Sequence, residues 1–328
     1  MKSIKRNAKR VAAATVASGL LAAGAVALAG AASASTLQAS GHGTAYSFQT
    51  IDNPKDLTFN QLLGINDEGQ IVGYFGSGAA DHPNKGYVIP PFSRTFVDEN
   101  FPGSVQTQVT GENNRGVTVG FWSNTNMGGG MDANFGWVDV HGQFRNASYP
   151  TAGQAALEVD QLLGVNDEDI AVGFYTDANG INHGYEYNIG QSRFSSVVDP
   201  NAPSASLTAA AINDRGDVAG FYTAPDGNTD GYLLSHGHLT DLVAPGAATT
   251  MALGVNNFDE VVGVFVPSSN ANALEGFTWT PQHGFTIVND PHGIGTTTIN
   301  GVNDFGQLVG FYVDANGNTD GLLATPQR

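Results

Sequence analysis

Hydrophobic and polar positions alternate along this chain in one recurring pattern, seen first in Gln61 to Phe75, QLLGINDEGQIVGYF. An apolar run (Leu62, Leu63, Ile65) meets a polar turn, Asn66-Asp67-Glu68-Gly69, and a second run (Ile71, Val72, Tyr74) follows with period two. That is the signature of a β-hairpin. Five imperfect copies follow, with the turn asparagine at Asn113, Asn166, Asn213, Asn256 and Asn303, spaced from Asn66 onward by 47, 53, 47, 43 and 47 residues. Asparagine at the head of such a turn bonds its own backbone two residues on, and glycine in the fourth place takes the positive φ the turn requires. Where glycine is missing, the chain has Asp169 and Asp259, and aspartate tolerates that region. Turn chemistry is therefore the stronger reading of the asparagine row, ahead of a ligand-binding ladder.

Each copy continues alike. An aromatic pair ends the hairpin in five of the copies, a Gly/Asn/Asp loop follows, and a short strand opens on glycine (GYVI from Gly86, GWVDV from Gly136, GYEY from Gly184, GYLL from Gly231, GFTW from Gly276). Fourth strands are read at 94–97, 194–198, 238–243 and 285–288. Four short strands per repeat, without helical periodicity, predict an all-β fold, a six-bladed β-propeller with four-stranded blades. The last repeat lacks a fourth strand, and the segment from Tyr46 to Asp52 resembles one. The 14 residues from Asp52 to Asn66 match the 14 from Asp199 to Asn213. The pattern thus predicts that this N-terminal strand completes the last blade and closes the ring, removing exposed edges.

Ahead of the repeats, residues 1–34 read as a secretory signal peptide: five basic residues without an acid, an alanine-rich apolar run, then Ala32-Ser33-Ala34. Residues 35–44 read as a linker and 45–328 as the propeller. Removing the signal takes the formal charge from −17 to −22, a field that disfavours nucleic acid and anionic lipid as partners. No membrane association is expected once the signal is gone. The chain has no cysteine, so an exported fold must be held by burial alone.

The GIND-x-G-x-IVG-[YF] hairpin at Gly64, Gly164, Gly254 and Gly301, followed by a D-x-N-G loop and an aromatic-rich strand, resembles the HAF family of bacterial extracellular repeats across all six copies. The His-Ala-Phe triplet of that family is echoed only as His183-Gly184-Tyr185; Lys85, Phe135, Asp230, Glu275 and Asp320 occupy the histidine place elsewhere. The resemblance implies export and a β-propeller, and brings no catalytic residues.

With the first strand innermost, the second-to-third loops and the blade connections share one face, and the asparagine turns take the other. Candidate ligand-binding residues are Tyr74, His82, Arg115, Trp122 and His292. The second repeat departs most from the pattern, with Glu112 in an apolar place, Arg115 in the turn and Trp122 ending the hairpin. Asp314, Asn316, Asn318 and Asp320 place oxygens at alternate positions, as in the first half of a calcium loop, although no glutamate closes the far end. The same spacing makes a hairpin turn, the stronger reading. HExxH, P-loop and G-x-S-x-G signatures are absent. The sequence supports a secreted, acidic, non-catalytic binding module for extracellular polysaccharide or a cell-surface protein. The alternative is a polysaccharide lyase or glycoside hydrolase with acid and base on the connection face.

Overall fold

The computed structural model describes residues 44–327 except 129, 156, 201 and 203, so the expected signal peptide and all but the end of the linker lie outside it. Among the described residues the regular structure is all strand, apart from one short 3-10 turn at Ala152–Gln154. The chain enters through β1 (Tyr46–Thr50) and then runs through repeated up-and-down meanders. The first is β2 (Asn60–Ile65), β3 (Ile71–Phe75), β4 (Lys85–Ile89) and β5 (Val97–Asp98). The second is β6 (Gln106–Glu112), β7 (Val117–Ser123), β8 (Phe135–Val140) and β9 (Gln143–Asn146). The third comprises β10 (Asp160–Val165), β11 (Ile170–Thr176), β12 (Asn182–Asn188) and β13 (Arg193–Val197), and the fourth β14 (Leu207–Ile212), β15 (Val218–Thr223), β16 (Thr229–Ser235) and β17 (His238–Leu242). The fifth holds β18 (Ala247–Val255), β19 (Val261–Pro267), β20 (Glu275–Thr280) and β21 (Gly284–Ile287). The last has β22 (Thr297–Val302), β23 (Leu308–Val313) and β24 (Thr319–Pro326).

β1 is the fourth strand of that last sheet, antiparallel to β24 with Phe48 opposite Ala324. Neighbouring units touch through short parallel contacts. Thr229 to Thr249 joins the fourth and fifth units into one eight-stranded sheet, and Asn134–Val159, Leu274–Thr296 and Phe59–Thr319 are single bridges of the same kind. The last of these links the sixth unit to the first.

Apolar side chains are buried between consecutive sheets. Leu62, Ile65 and Tyr87 of the first unit pack with Val309 of the sixth, Val72 with Val109 and Trp137 of the second, and Val262 of the fifth with Ile299 and Leu322. Fully burying one such side chain stabilises the fold by about 1.5–3 kcal/mol. With no disulfide available, these layers carry the stability.

Two sequence features acquire a cause. The turn asparagine uses its side-chain oxygen locally: Asn66 Oδ1 accepts from Gln70 N at 2.9 Å, and Gly69 N donates to Asn66 O at 3.1 Å. The fourth turn residue has positive φ in every copy, including Asp169 at 56° and Asp259 at 61°. The glycine before each aromatic pair has a different reason. A register shift in the first strand of every hairpin brings that strand's carbonyl against it, so a Cβ on Gly310 would collide with the Thr298 oxygen, and one on Gly73 with the Gln61 oxygen. Backbone cannot yield as a side-chain tip can. Gly310→Ala is expected to cost about 3 kcal/mol in a denaturant titration; an unchanged midpoint would show that the strands do not approach this closely.

Candidate binding site

At the turn end, each asparagine makes a second bond that links one unit to the next. Asn66 Nδ2 donates to Asn113 O (3.2 Å), Asn113 to Asn166 O (2.9 Å), Asn166 to Asn213 O (2.9 Å), Asn213 to Asn256 O (3.0 Å) and Asn256 to Asn303 O (3.1 Å). Asn303 Nδ2 donates back to Asn66 O at 3.0 Å. The following residue repeats the arrangement: Asp67 N donates to Asn114 Oδ1, and the succession ends with Asp304 N on Asp67 Oδ1, each at 2.8 Å. This polar mouth is lined by Glu112 and by a row of four aspartates, Asp67, Asp167, Asp214 and Asp304, separated in two places by the Asn114 and Asn257 amides. It encloses about 90 Å³.

Beneath it the space narrows to about 30 Å³ among Leu63, Thr110, Phe121, Leu163, Leu253 and Asn300, room for a single water. The polar members are satisfied, Thr110 Oγ donating to Leu162 O (2.7 Å) and Asn300 Nδ2 to Leu62 O (2.9 Å). Arg115 belongs to the turn end, where its guanidinium sits 3.4 Å from Asp169 of the next unit.

The opposite end of the hairpins carries a different row. The aromatic residue that ends each hairpin lies opposite the residue in the histidine place of the third strand: Phe75–Lys85, Trp122–Phe135, Tyr175–His183, Tyr222–Asp230, Phe265–Glu275 and Tyr312–Asp320. An aromatic residue beside a variable one, polar in every unit but the second, thus recurs at one register position. Phe75, Trp122 and Tyr175 are partly exposed, whereas Tyr222, Phe265 and Tyr312 are buried. Trp122 stacks on Phe101 at 4.6 Å and 6°, and its Nε1 donates to Asn146 Oδ1 at 2.8 Å. Tyr175 lies between Tyr149 (4.4 Å) and His183 (5.0 Å), with His183 Nε2 3.1 Å from Asp177. These contacts fix the rings and leave part of each uncovered. In the sixth unit, burial followed by the charges of Asp52 and Asp314 pushes the Asp320 carboxyl up to about 6.

The remaining sequence candidates are dispersed. Tyr74 is 1 % exposed and donates to Gln61 Oε1 at 2.8 Å; its ring packs on Phe59 and Leu63 and is not a surface for a ligand. His292 is held by its neighbour Asp290 at 3.0 Å. His82 lies in the loop after β3, 2.6 Å from Asp56. In the last unit, Asp314 Oδ1 accepts the backbone N–H of Asn316 and of Asn318, both at 2.8 Å, while the two amide nitrogens reach Oδ2 at 3.0 and 3.2 Å. The carboxylate is surrounded by N–H donors, the geometry of a turn, where calcium would require converging oxygens. No group of three or more His, Asp or Glu poised for a metal occurs among the described residues.

No family model and no curated protein matches the chain. Among solved structures it is similar to TolB from Acinetobacter baumannii, with TM-score 0.50 and 10 % identity over 79 % of this chain. The match spans 64 % of the TolB chain. A mutant of Aleuria aurantia lectin in complex with Fucα1-6GlcNAc aligns at TM-score 0.45 and 9 % identity, covering 82 % of this chain and 93 % of the lectin. A mutant of AofleA from Arthrobotrys oligospora aligns at 0.43 and 12 %, covering 89 % and 86 %. The likeness to TolB shows the fold alone: an all-β protein of four-stranded sheets with a propeller-like neighbour.

Proposed function

We propose that this chain is a secreted six-bladed β-propeller, a HAF-type repeat protein, that acts as a binding module for extracellular polysaccharide. The closed ring is supported by β1 pairing with β24 and by the Asn303 and Asp304 bonds that return to the first turn. The binding reading rests on one observation, the row of aromatic residues at the end opposite the asparagine turns, with Asn146 bonded to Trp122 and His183 opposite Tyr175. Sugars present C–H faces that stack on aromatic rings and hydroxyl groups that need acceptors and donors beside them. Trp122 with Asn146, and the uncovered part of the Tyr175–His183 stack with Asp177, offer that combination on rings already held in place.

Titration of the chain from residue 35 onward against a polysaccharide panel, followed by tryptophan fluorescence and calorimetry, is the test. Trp122→Ala and Tyr175→Ala are each expected to weaken binding about tenfold, the effect of losing ~1.4 kcal/mol. No binding across the panel, or an affinity that both variants leave unchanged, would remove this reading.

A further inference from the structure

The loop after β3 brings Ser77 and His82 together, and Ser77 Oγ lies 3.0 Å from His82 Nδ1. The other ring nitrogen, Nε2, is 2.6 Å from Asp56 Oδ2, contributed by the segment that leads into β2. Hydroxyl, imidazole and carboxylate are therefore brought into contact by two separate stretches of chain. Their surroundings select the tautomer. The Ser77 backbone N–H donates to Nδ1 at 3.2 Å, so Nδ1 presents a lone pair there and the proton of the neutral ring is on Nε2, on the side of the Asp56 carboxylate. This is the protonation state in which an imidazole can take a proton from serine.

Asp56 is held in place and stays ionised. Its side chain is 6 % exposed, and its Oδ1 accepts from Thr58 N at 2.9 Å and Thr58 Oγ at 2.7 Å. Burial pushes the carboxyl up, but the Thr58 bonds and the adjacent imidazole outweigh it and leave the group below its ordinary range. The opposite side of the relay is open, with Ser77 half-buried and the His82 side chain 37 % exposed. The loop backbone is closed by Gly78 N donating to His82 O at 2.9 Å and His82 N to Ala79 O at 2.8 Å, with longer bonds from Ser77 N to His82 Nδ1 (3.2 Å) and from Ala79 N to Ser77 Oγ (3.4 Å) beside them.

We propose that Ser77 is a nucleophile, His82 its general base and Asp56 a positioning carboxylate, together hydrolysing small acyl esters such as acetyl groups carried on a larger alcohol. Ser77 Oγ attacks the ester carbonyl carbon as its proton passes to His82 Nδ1. The tetrahedral species then collapses, the C–O bond to the alcohol breaks, and the same proton leaves with the alkoxide. Water, deprotonated by His82, attacks the acyl-serine and releases the carboxylic acid, restoring Ser77 with its proton. The balance is ester plus water to acid plus alcohol, without a redox partner. Small residues around the nucleophile, Gly76, Gly78 and Ala79, suit a short acyl chain.

The inference is independent of the polysaccharide reading and is tested with p-nitrophenyl acetate and a fluorophosphonate probe on the full chain. Wild-type protein is expected to hydrolyse the ester and to carry the probe on Ser77, mapped by mass spectrometry. Ser77→Ala and His82→Gln should each lower the rate about 100-fold and lose the label while melting as the parent does. Because the chain has no cysteine, Ser77→Cys adds a single thiol. Its alkylation by iodoacetamide at about pH 6.5 should be at least ~10-fold faster than in Ser77→Cys with His82→Gln, since a positioned imidazole generates the thiolate. An unlabelled Ser77, an unchanged rate in Ser77→Ala, or a thiol indifferent to His82 would each overturn the proposal.

Discussion

Deletion of residues 46–52 is expected to abolish the cooperative thermal transition or to drive the protein into aggregates. The segment contributes more than five paired residues. Ile51 N donates to Gly321 O at 2.9 Å, Asp52 Oδ1 accepts from Gly321 N at 2.9 Å, and Tyr46 and Phe48 lie over the core containing Leu322 and Ala324. Without β1, the whole ladder edge of β24 becomes unpaired beside apolar side chains that are fully buried in the intact chain. An exposed, apolar strand edge is a template for intermolecular pairing, and the penalty falls on the same sheet that contacts the first unit through Phe59 and Thr319. Circular dichroism melts and size-exclusion chromatography give the readout. A truncated monomer melting with the full chain would show that the termini contribute nothing to the fold.

Glu112→Gln is expected to make the protein more stable at alkaline pH and to leave it nearly unchanged near pH 5. The other units have Ile65, Val165, Ile212, Val255 and Val302 at this place. Glu112 is 8 % exposed, its Oε2 accepts from Gln70 Nε2 at 2.6 Å, and its Oε1 has no hydrogen-bond partner. Burial above all, with the charge of Glu99 adding to it and the Gln70 bond opposing, pushes the carboxyl up to about 8 from 4.5. A carboxyl raised on folding binds a proton more tightly in the native state. Stability is therefore fullest below the unfolded value and is lost as pH rises from about 4.5 through about 8. At about 1.4 kcal/mol per unit, the native state forfeits on the order of 5 kcal/mol by pH 9.

Asp160, raised to about 7 by burial, adds a loss of the same sign, so only the difference between wild type and variant isolates Glu112. Asp177 and Asp314 behave in the opposite sense. Burial raises each, but their turn hydrogen bonds prevail and hold them below the ordinary value, so their contribution disappears only as pH falls through that lowered range. Urea titrations from about pH 5 to 9 that run parallel for wild type and Glu112→Gln would mean the carboxyl is not buried as described.

Much of the architecture was legible because each repeat states it locally. Asparagine-led turns with glycine or aspartate at positive φ require only neighbouring residues, as does the period-two alternation, and the spacing from Asp52 to Asn66 reveals the terminal strand. What depends on contacts between units was not visible. The outward half of each asparagine, Nδ2 reaching the next turn's carbonyl, leaves no trace in the turn sequence, although Oδ1 does. The glycine before the aromatic pair reflects a register shift that no pattern of apolar residues records.

Among the candidate site residues, alternation separates Tyr74 from Phe75: adjacent strand positions face opposite ways, and Tyr74 takes the buried one. Arg115 and Trp122 stand seven residues apart along a hairpin strand, roughly 23 Å when extended, so they belong to opposite ends. The histidine place was readable as a row of differing residues, but its pairing with the second aromatic required the register. The meeting of Asp56 with His82 and Ser77 joins two segments on either side of a hairpin, and sequence spacing alone does not show it.

Ring closure by the two termini is the claim on which the account turns, and an engineered disulfide measures it most directly. Ser47 and Thr325 are opposite one another in the β1–β24 ladder, and the cysteine-free chain offers no competing thiol. In Ser47→Cys with Thr325→Cys, air oxidation of dilute protein is expected to give a fully intramolecular bond, together with a higher melting temperature, since the bond closes a loop of nearly the whole domain and such cross-links stabilise by about 2–4 kcal/mol. Free thiols that persist in the folded monomer, or bonds formed only between molecules, would contradict the closed ring.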